Sequence, residues 1–384
     1  MSLGNSELAL ARQVLTRGPV HRAELGERLG LSPASLTRLI RPFLERGLFV
    51  ELGPSSACVG RPSKPLDIRE DIGVFYGFKL TGKVLQLVVT DARANPLTQR
   101  SRVLLSRQPE AVAELVATMV EEMAHLPAAA ENVVGRAASH AAMTGIGICL
   151  GGKVCNGRTV LRAPFLGWED VDFAAMVEDA TGLATVVDND LVALTEGIHW
   201  FGSARDVTDF CVITIGAGVG WGLVVHDQIV NTPDTGLGLG GHIPLGESDF
   251  ACPAGHHGCA YTLLSQPGLA QRAKSVVGEA MDYEELLARA AAGEAGPAKV
   301  VSDAANALGR FIALATNLTM SPTVVLGGEG LGLWDMASEQ VLAAADAERD
   351  PDAAPLRVNV VMDGFLSWAR GAAAMAVQQA LARL

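Results

Sequence analysis

The chain lacks an uninterrupted apolar run of membrane-spanning length; its nearest approach, residues 212–225, is broken by four glycines. Residues 1–20 also lack the continuous apolar stretch behind a basic start that marks a secretory signal, so a cytoplasmic protein with no membrane partner is expected. Cysteine is sparse, at six in 384 residues. Two of the six fall in one glycine-rich loop, which argues against a disulfide framework and for a reducing compartment. A lack of hydrophobic content is not among the shortages. At 49% hydrophobic the chain can bury large cores, which excludes general disorder. Its length predicts about two or three domains.

Charge is scarce and unevenly placed. Residues 1–70 hold ten Lys/Arg and seven Asp/Glu, net +3, while residues 71–384 hold 20 and 35, net −15. A mildly basic head on an acidic body points to a nucleic-acid partner for the head alone.

The head reads as three short helices. Leu8, Ala11 and Leu15 share a face of the first, which Gly18-Pro19 stops. Leu25 and Leu29 mark a second that ends at Gly30. Ser32-Pro33 then supplies an N-cap and a proline at the first helical position. The third helix places Leu36, Leu39, Ile40, Phe43 and Leu44 on one apolar stripe. Such a triplet is a helix-turn-helix. Ser32, Ser35, Thr37, Arg38 and Arg41 lie off that stripe and offer hydroxyl and guanidinium groups to phosphates and base edges of a major groove. A strand at 48–52, a turn at 53–56 and a stiff basic arm at 60–65 complete a winged helix. In the arm, Gly60, Arg61 and Pro62 suit a narrow A·T minor groove.

In the body, apolar runs at 84–89, 145–150, 185–187, 210–215, 221–225 and 323–326 read as strands, several ending in Gly-rich turns. Helical spacing recurs at 111–123 and in the Ala-rich C-terminus. Strands that end in glycine turns with helices between them predict an α/β body with a ligand cleft. Residues 236–261 are different: glycine turns, three histidines and two cysteines with little apolar periodicity. His242, Cys252 and Cys259 are donors that zinc prefers, and His256, His257 or a water is the candidate for the fourth place.

Taken together, the head, the Asn189-Asp190 pair after a strand, the GAGVGWG turn at 216–222, the Gly-x-x-Gly-Gly-His segment ending at His242 and the Cys/Gly/Cys loop resemble the ROK family of repressors and sugar kinases, specifically its transcriptional-regulator branch. The resemblance covers nearly the whole chain. It implies an α/β fold in which an N-terminal winged helix-turn-helix (1–70) precedes a two-lobed actin-like (RNase H-like) ATPase-fold sugar-binding domain. Lobe 1 would span 71–190, completed by a C-terminal helix at 365–384, and lobe 2 would span 191–364 with the zinc-type loop at 242–259.

The family's loop reads Cys-x-Cys-Gly-x-x-Gly-Cys-x-Glu. Here the positions hold Cys252, Ala254, Gly255, Gly258, Cys259 and Tyr261, so the middle Cys and the final Glu are absent. The resemblance then implies zinc on His242, Cys252, Cys259 and His256. It implies an effector site at Gly152, Asn189, Asp190 and His242, with two sugar-holding glutamates replaced by Leu239 and Tyr261. Asp190 matches the kinases' general base. The phosphate loops depart from the pattern. The family's Asp-x-Gly-Gly-Thr-Lys becomes Lys79, Thr81, Gly82, Lys83 and Val84, and the second loop carries Ala217 for threonine and the bulky Trp221.

The expected protein is therefore a repressor with no turnover and no ATP. It binds a palindromic double-stranded operator as a homodimer or dimer of dimers and answers to a sugar or sugar-derivative effector. An ATP-dependent sugar kinase with a DNA-binding head is the alternative, and an operator-binding protein with a relic pocket is a third.

Overall fold

The computed structural model describes residues 4–53, 64–69, 71–124 and 143–383. The head opens with α1 (Asn5–Arg17), capped at Gly18, and α2 (Arg22–Leu29), which ends at Gly30 in the left-handed region, φ +62°. A glycine costs least there. The third helix, α3 (Pro33–Glu45), starts where Ser32 Oγ accepts the Ser35 amide at 3.2 Å. Leu36, Ile40 and Phe43 are buried, and Phe43 stacks on Phe49 at 4.6 Å. Pro42 sits inside the helix but on its solvent side. Then β1 (Phe49–Glu51) pairs antiparallel with β2 (Leu66–Ile68). Residues 54–63, with most of the expected turn and with Gly60, Arg61 and Pro62 of the arm, lie outside the described residues.

The body continues with β3 (Gly73–Leu80), β4 (Val84–Thr90), β5 (Pro96–Val103), α4 (Pro109–Ala124) and β6 (Met143–Leu150). A separate antiparallel sheet follows, β7 (Lys153–Cys155), β8 (Thr159–Ala163) and β9 (Trp168–Asp172), then α5 (Phe173–Thr181), β10 (Thr185–Asn189) and α6 (Asp190–Phe201). The main sheet has order β10-β6-β3-β4-β5. Strands β3 to β5 form an antiparallel meander, and β6 and β10 are added in parallel.

The second unit repeats that order. It holds β11 (Phe210–Ile215), β12 (Val219–Val225), β13 (Gln228–Ile229), a 3-10 turn (Leu239–His242), α7 (Ala260–Leu264), α8 (Gln266–Val277), α9 (Tyr283–Ala291), α10 (Ala295–Thr319), β14 (Thr323–Gly327), α11 (Gly332–Ala347) and β15 (Arg357–Val360). Its sheet runs β13-β12-β11-β14-β15, again an antiparallel meander with two parallel strands added. The chain closes with α12 (Phe365–Ala382).

The compact units are Met1–Arg205 with Trp368–Leu384, and Asp206–Ser367. Most of the C-terminal helix, from Trp368 on, belongs to the first unit, and the units divide at 205/206. The reason is packing: a Cβ on Gly197 of α6 would stand 2.8 Å from Gly371 Cα of α12, so the two helices touch backbone to backbone. Nor does the head stand apart. Leu10, Val14, Leu66 and Phe43 share one apolar cluster with Phe75, Trp200, Val377 and Leu381 of the body.

The closest layer contact is between α12 and the first sheet. A Cβ on Gly77 of β3 would lie 2.7 Å from the Ala373 amide nitrogen, and one on Gly147 of β6 would lie 2.5 Å from the Ala372 carbonyl carbon. Backbone cannot move aside as a side-chain tip can, so overpacking here costs about 3 kcal/mol or more. Gly147→Val is expected to lower the melting temperature by several degrees, while Gly53→Val, where no atom lies within 4 Å of the added Cβ, leaves it unchanged. A thermal-unfolding comparison of the two variants checks this.

Candidate ligand site and metal centre

The carboxyl ends of β6 and β10 hold Gly151, Gly152, Asn189 and Asp190. Ligands of open α/β sheets sit at such ends. Asn189 is the N-cap of α6: its Oδ1 accepts the Leu191 amide at 2.9 Å, and its Nδ2 donates to the Gly152 carbonyl at 2.8 Å. That leaves Asp190, the first residue of the helix, free of capping duty. Its Oδ2 instead accepts from Lys79 Nζ at 2.5 Å. The lysine side chain is 6% exposed and the aspartate 27%, so the ammonium is enclosed while the carboxylate keeps one side open. Lys79 thus binds the carboxylate that was expected to match the kinases' base.

Two further features of this site were not legible in the sequence. A Cβ on Gly151 would lie 3.5 Å from the Phe165 ring and 3.6 Å from Asp190 Oδ2, so an aromatic face and a carboxylate converge there. Phe165 is 65% exposed. Gly152, by contrast, is glycine because its Cα lies against the chain at Arg162 and Ala163. Asp188 is pushed up to about 6 by burial, although its carboxylate accepts the Asn189 amide at 2.7 Å.

In the second unit, the Gly-rich turn after β11 faces Glu329. The Ala217 amide donates to Glu329 Oε1 at 3.4 Å, and a Cβ on Gly216 would stand 2.5 Å from the Glu329 carboxyl carbon. A carboxylate therefore occupies the mouth of a turn whose amides would otherwise attract an anion. Leu239, at the site expected to lose a glutamate, is largely exposed, and Tyr261 is half-buried.

The His/Cys loop brings three of its four expected donors together. Ligand atoms of His242, Cys252 and His256 all lie within 4.8 Å of one another, the one such His/Cys/Asp/Glu group among the described residues. Cys252 Sγ is 3.6 Å from His242 Nδ1 and 3.7 Å from His256 Nδ1. Cys259 stands outside that trio, its sulfur toward the His256 carbonyl at 4.0 Å. His257 turns away to the Ser248 carbonyl at 3.1 Å. Burial pushes the Cys252 thiol up, but the backbone of His256, Ala254 and Gly255 and the Cys259 thiol outweigh it and hold it below its ordinary value. Burial and then His256 hold His242 low, so its ring favours the neutral form. Metal binding needs a thiolate and a neutral imidazole, and both shifts run in that direction. Burial pushes Cys149 and Cys211 the other way, up to about 12.

On α3, Arg38 is exposed, and Arg41 is also exposed but paired with Glu45 at 2.6 Å. The Thr37 hydroxyl donates to the Pro33 carbonyl at 2.8 Å, and Ser32 Oγ donates to Ser35 Oγ at 3.0 Å.

The two partners of the Lys79–Asp190 pair differ in burial, which makes their removal asymmetric. Asp190→Ala strips an enclosed ammonium of its carboxylate, a loss of about 3–5 kcal/mol. Lys79→Met keeps the buried stem and leaves a carboxylate that still reaches water. Asp190→Ala is therefore expected to lower the melting temperature more than Lys79→Met does; equal losses would show that the pair is not what holds the two strand ends.

Among known proteins, the chain is 24% identical over 336 residues to the Escherichia coli K12 DNA-binding transcriptional dual regulator NagC, covering 84% of this chain and 79% of that one. It is 22% identical over 280 residues to a xylose repressor of Caldicellulosiruptor bescii, covering 72% and 68%. A solved ROK family transcriptional regulator, a homologue of the E. coli MLC protein, superposes with a TM-score of 0.78 at 22% identity over 98% of this chain and 96% of that one. A ROK hexokinase from Thermus thermophilus gives a TM-score of 0.64 at 24% identity over 78% and 96%. The model of the ROK family matches residues 77–378, most of the chain, and this protein belongs to the ROK family.

Proposed function

We infer that this protein is a DNA-binding transcriptional regulator, a repressor of sugar-related genes, that senses a sugar or sugar derivative and does not phosphorylate it. The observation that carries this reading is the seating of Lys79 on Asp190. A general base must take a proton from the attacking hydroxyl within hydrogen-bond reach. Here one oxygen of that base is held by a buried ammonium, while the open side can still accept from a sugar hydroxyl. The Glu329 carboxylate at the Ala217 amide repels the phosphates that a kinase has to hold there. Relatives named as a xylose repressor and as a DNA-binding regulator support the same reading.

The helices α1 to α3 with the β1–β2 pair act as a winged helix-turn-helix, with α3 in the major groove and the arm carrying Arg61 in the minor groove. Arg38 meets DNA directly. Arg41 first exchanges Glu45 for a phosphate, at little cost because exposed pairs contribute about 0–1 kcal/mol. A homodimer would match the two halves of a palindromic operator. The test is a thermal-unfolding and DNA-binding panel with ATP–magnesium, D-xylose, N-acetyl-D-glucosamine and their phosphates. A native-state ligand raises the melting temperature by mass action. The expected result is a shift with a sugar and none with ATP, and about ten-fold or greater loss of DNA affinity in Arg38→Ala with sugar binding intact. An ATP shift in the wild type would restore the kinase reading.

Zinc is the metal the loop fits, with His242, Cys252 and His256 as ligands and Cys259 as the fourth on a small movement of its side chain. It would hold the loop's fold and take no part in chemistry. Purified protein is expected to carry about one zinc per chain. Cys252→Ser should lose the metal, and a chelator should lower the melting temperature of the wild type but not of that variant; metal retained by Cys252→Ser would refute the ligand set.

A further inference from the structure

The helix that begins with Asp190 ends against the head, and no part of the function proposed above uses that connection. The last turn of α6 carries His199 and Trp200, both buried. Arg12 of α1 donates to His199 Nε2 at 2.9 Å, and its guanidinium carbon lies 5.0 Å above the Trp200 ring. Such a cation over an aromatic face adds about 0.5–2 kcal/mol, more when shielded from water. Leu10, Ala11, Val14 and Leu15 of α1 pack into the same apolar cluster as Trp200 and α12. Beyond the helix, Arg17 donates to the Arg205 carbonyl at 3.0 Å.

Between its two ends α6 is packed, with Val192, Ala193, Leu194 and Thr195 buried, and it lies closest to α12 at one glycine crossing. Gly197 and Gly371 meet backbone to backbone, and one residue away Glu196 Oε2 accepts from Gln378 Nε2 at 2.9 Å. A 12-residue helix is about 18 Å long and moves as a rigid element. A displacement at its first turn that turns it about a glycine crossing must displace its last turn the opposite way.

We propose that α6 is the lever through which a ligand at Asp190 repositions the head, with the Gly197–Gly371 crossing as its pivot and Arg12 as the grip on α1. The proposal rests on the sugar-sensing reading of Asp190. It adds the route: a sugar hydroxyl that competes with Lys79 for the Asp190 carboxylate shifts the N-terminal turn of α6, and His199 and Trp200 carry the shift to Arg12 and so to α1. Arg12 is a positioning residue and touches neither sugar nor DNA. A second contact keeps the head seated without it, because Arg93, in the β4–β5 turn, donates to the Leu15 carbonyl at 2.9 Å and pairs with Asp67 of β2. The variant Arg12→Leu therefore loosens the grip without detaching the domain.

The experiment measures fluorescence anisotropy of a duplex selected from a random pool by the wild-type chain, titrated with and without D-xylose or N-acetyl-D-glucosamine. Wild type and Arg12→Leu are compared, and sugar binding to each is measured by calorimetry. In the wild type the active sugar is expected to change DNA affinity about ten-fold, a usual size for coupling between sites. Arg12→Leu should bind sugar and DNA within about threefold of wild type while its response to sugar falls below about twofold. A full response in Arg12→Leu overturns the lever and leaves the sensor reading intact. If neither sugar moves the wild type, the sensor reading loses its support. The lever is then decided by hydrogen exchange of α1 in Asp190→Asn, a perturbation at the far end of α6. Exchange that rises in α1 but not in α2, and does so only with Arg12 present, supports the lever; unchanged exchange in α1 overturns it.

Discussion

A buried ammonium group has to keep its counter-charge, and in this chain that requirement ties the central strand of one sheet to the first turn of a helix. Lys79 lies on β3, between β6 and β4, and its partner is Asp190. The enclosed ammonium is not stable alone, and removing its carboxylate costs more than the pair contributes. The pair therefore fixes the N-terminal end of α6 and engages the carboxylate that the family's kinases use as a base. One basic residue in the place of an acidic one has two effects. On the reading proposed above, it removes an organiser of metal and phosphate, and it occupies the carboxylate expected to match the kinases' base. Glu329 does the converse in the second unit by setting an anion beside the Ala217 amide.

The head obeys a different constraint, one of size. About 60 residues bury too little surface for a robust core of their own. This head finds the rest on the body, through Phe75, Met143, Trp200 and the α12 residues Ala373, Ala376, Val377 and Leu381. A head on a flexible linker could not register a small movement in the body. A head that shares its core with α6 and α12 has no such freedom, and any shift of those helices changes where α1 lies.

Much of this was legible in the sequence wherever the signal was local. Ser32-Pro33, Gly30 and the Leu36–Ile40–Phe43 stripe act over one or two helical turns, and the helices form where those residues place them. Strand β3 did not declare itself. It is buried at every position, so it shows no alternation, and Lys79 interrupts what would otherwise read as a core strand. The three short strands β7 to β9 escaped for want of length. The contact that keeps α6 in the first unit, Gly197 on Gly371, joins residues far apart in the chain and leaves no local signal. At the candidate site the division of labour between neighbours was not legible. The N-cap of α6 is Asn189, which leaves Asp190 to Lys79, and Phe165 gave no signal because a single exposed aromatic in a loop has no pattern.

The twofold recurrence of one sheet order shows where function has been kept. In each unit the meander begins with a hairpin, Thr81–Lys83 in one and Gly216–Gly218 in the other. Beside the first hairpin Lys79 is paired with Asp190, and Glu329 stands at the second. The carboxyl ends of β6 and β10 keep a different set. Glycines leave space there, Asn189 spends its amide on local order, and the Asp190 carboxylate is open on one side under the exposed ring of Phe165. A catalyst needs groups that bind the transition state better than the substrate. A sensor needs only a ligand whose affinity differs between two conformations. On the reading proposed above the chain answers to the second requirement, with a polar site at the root of a helix that reaches the head.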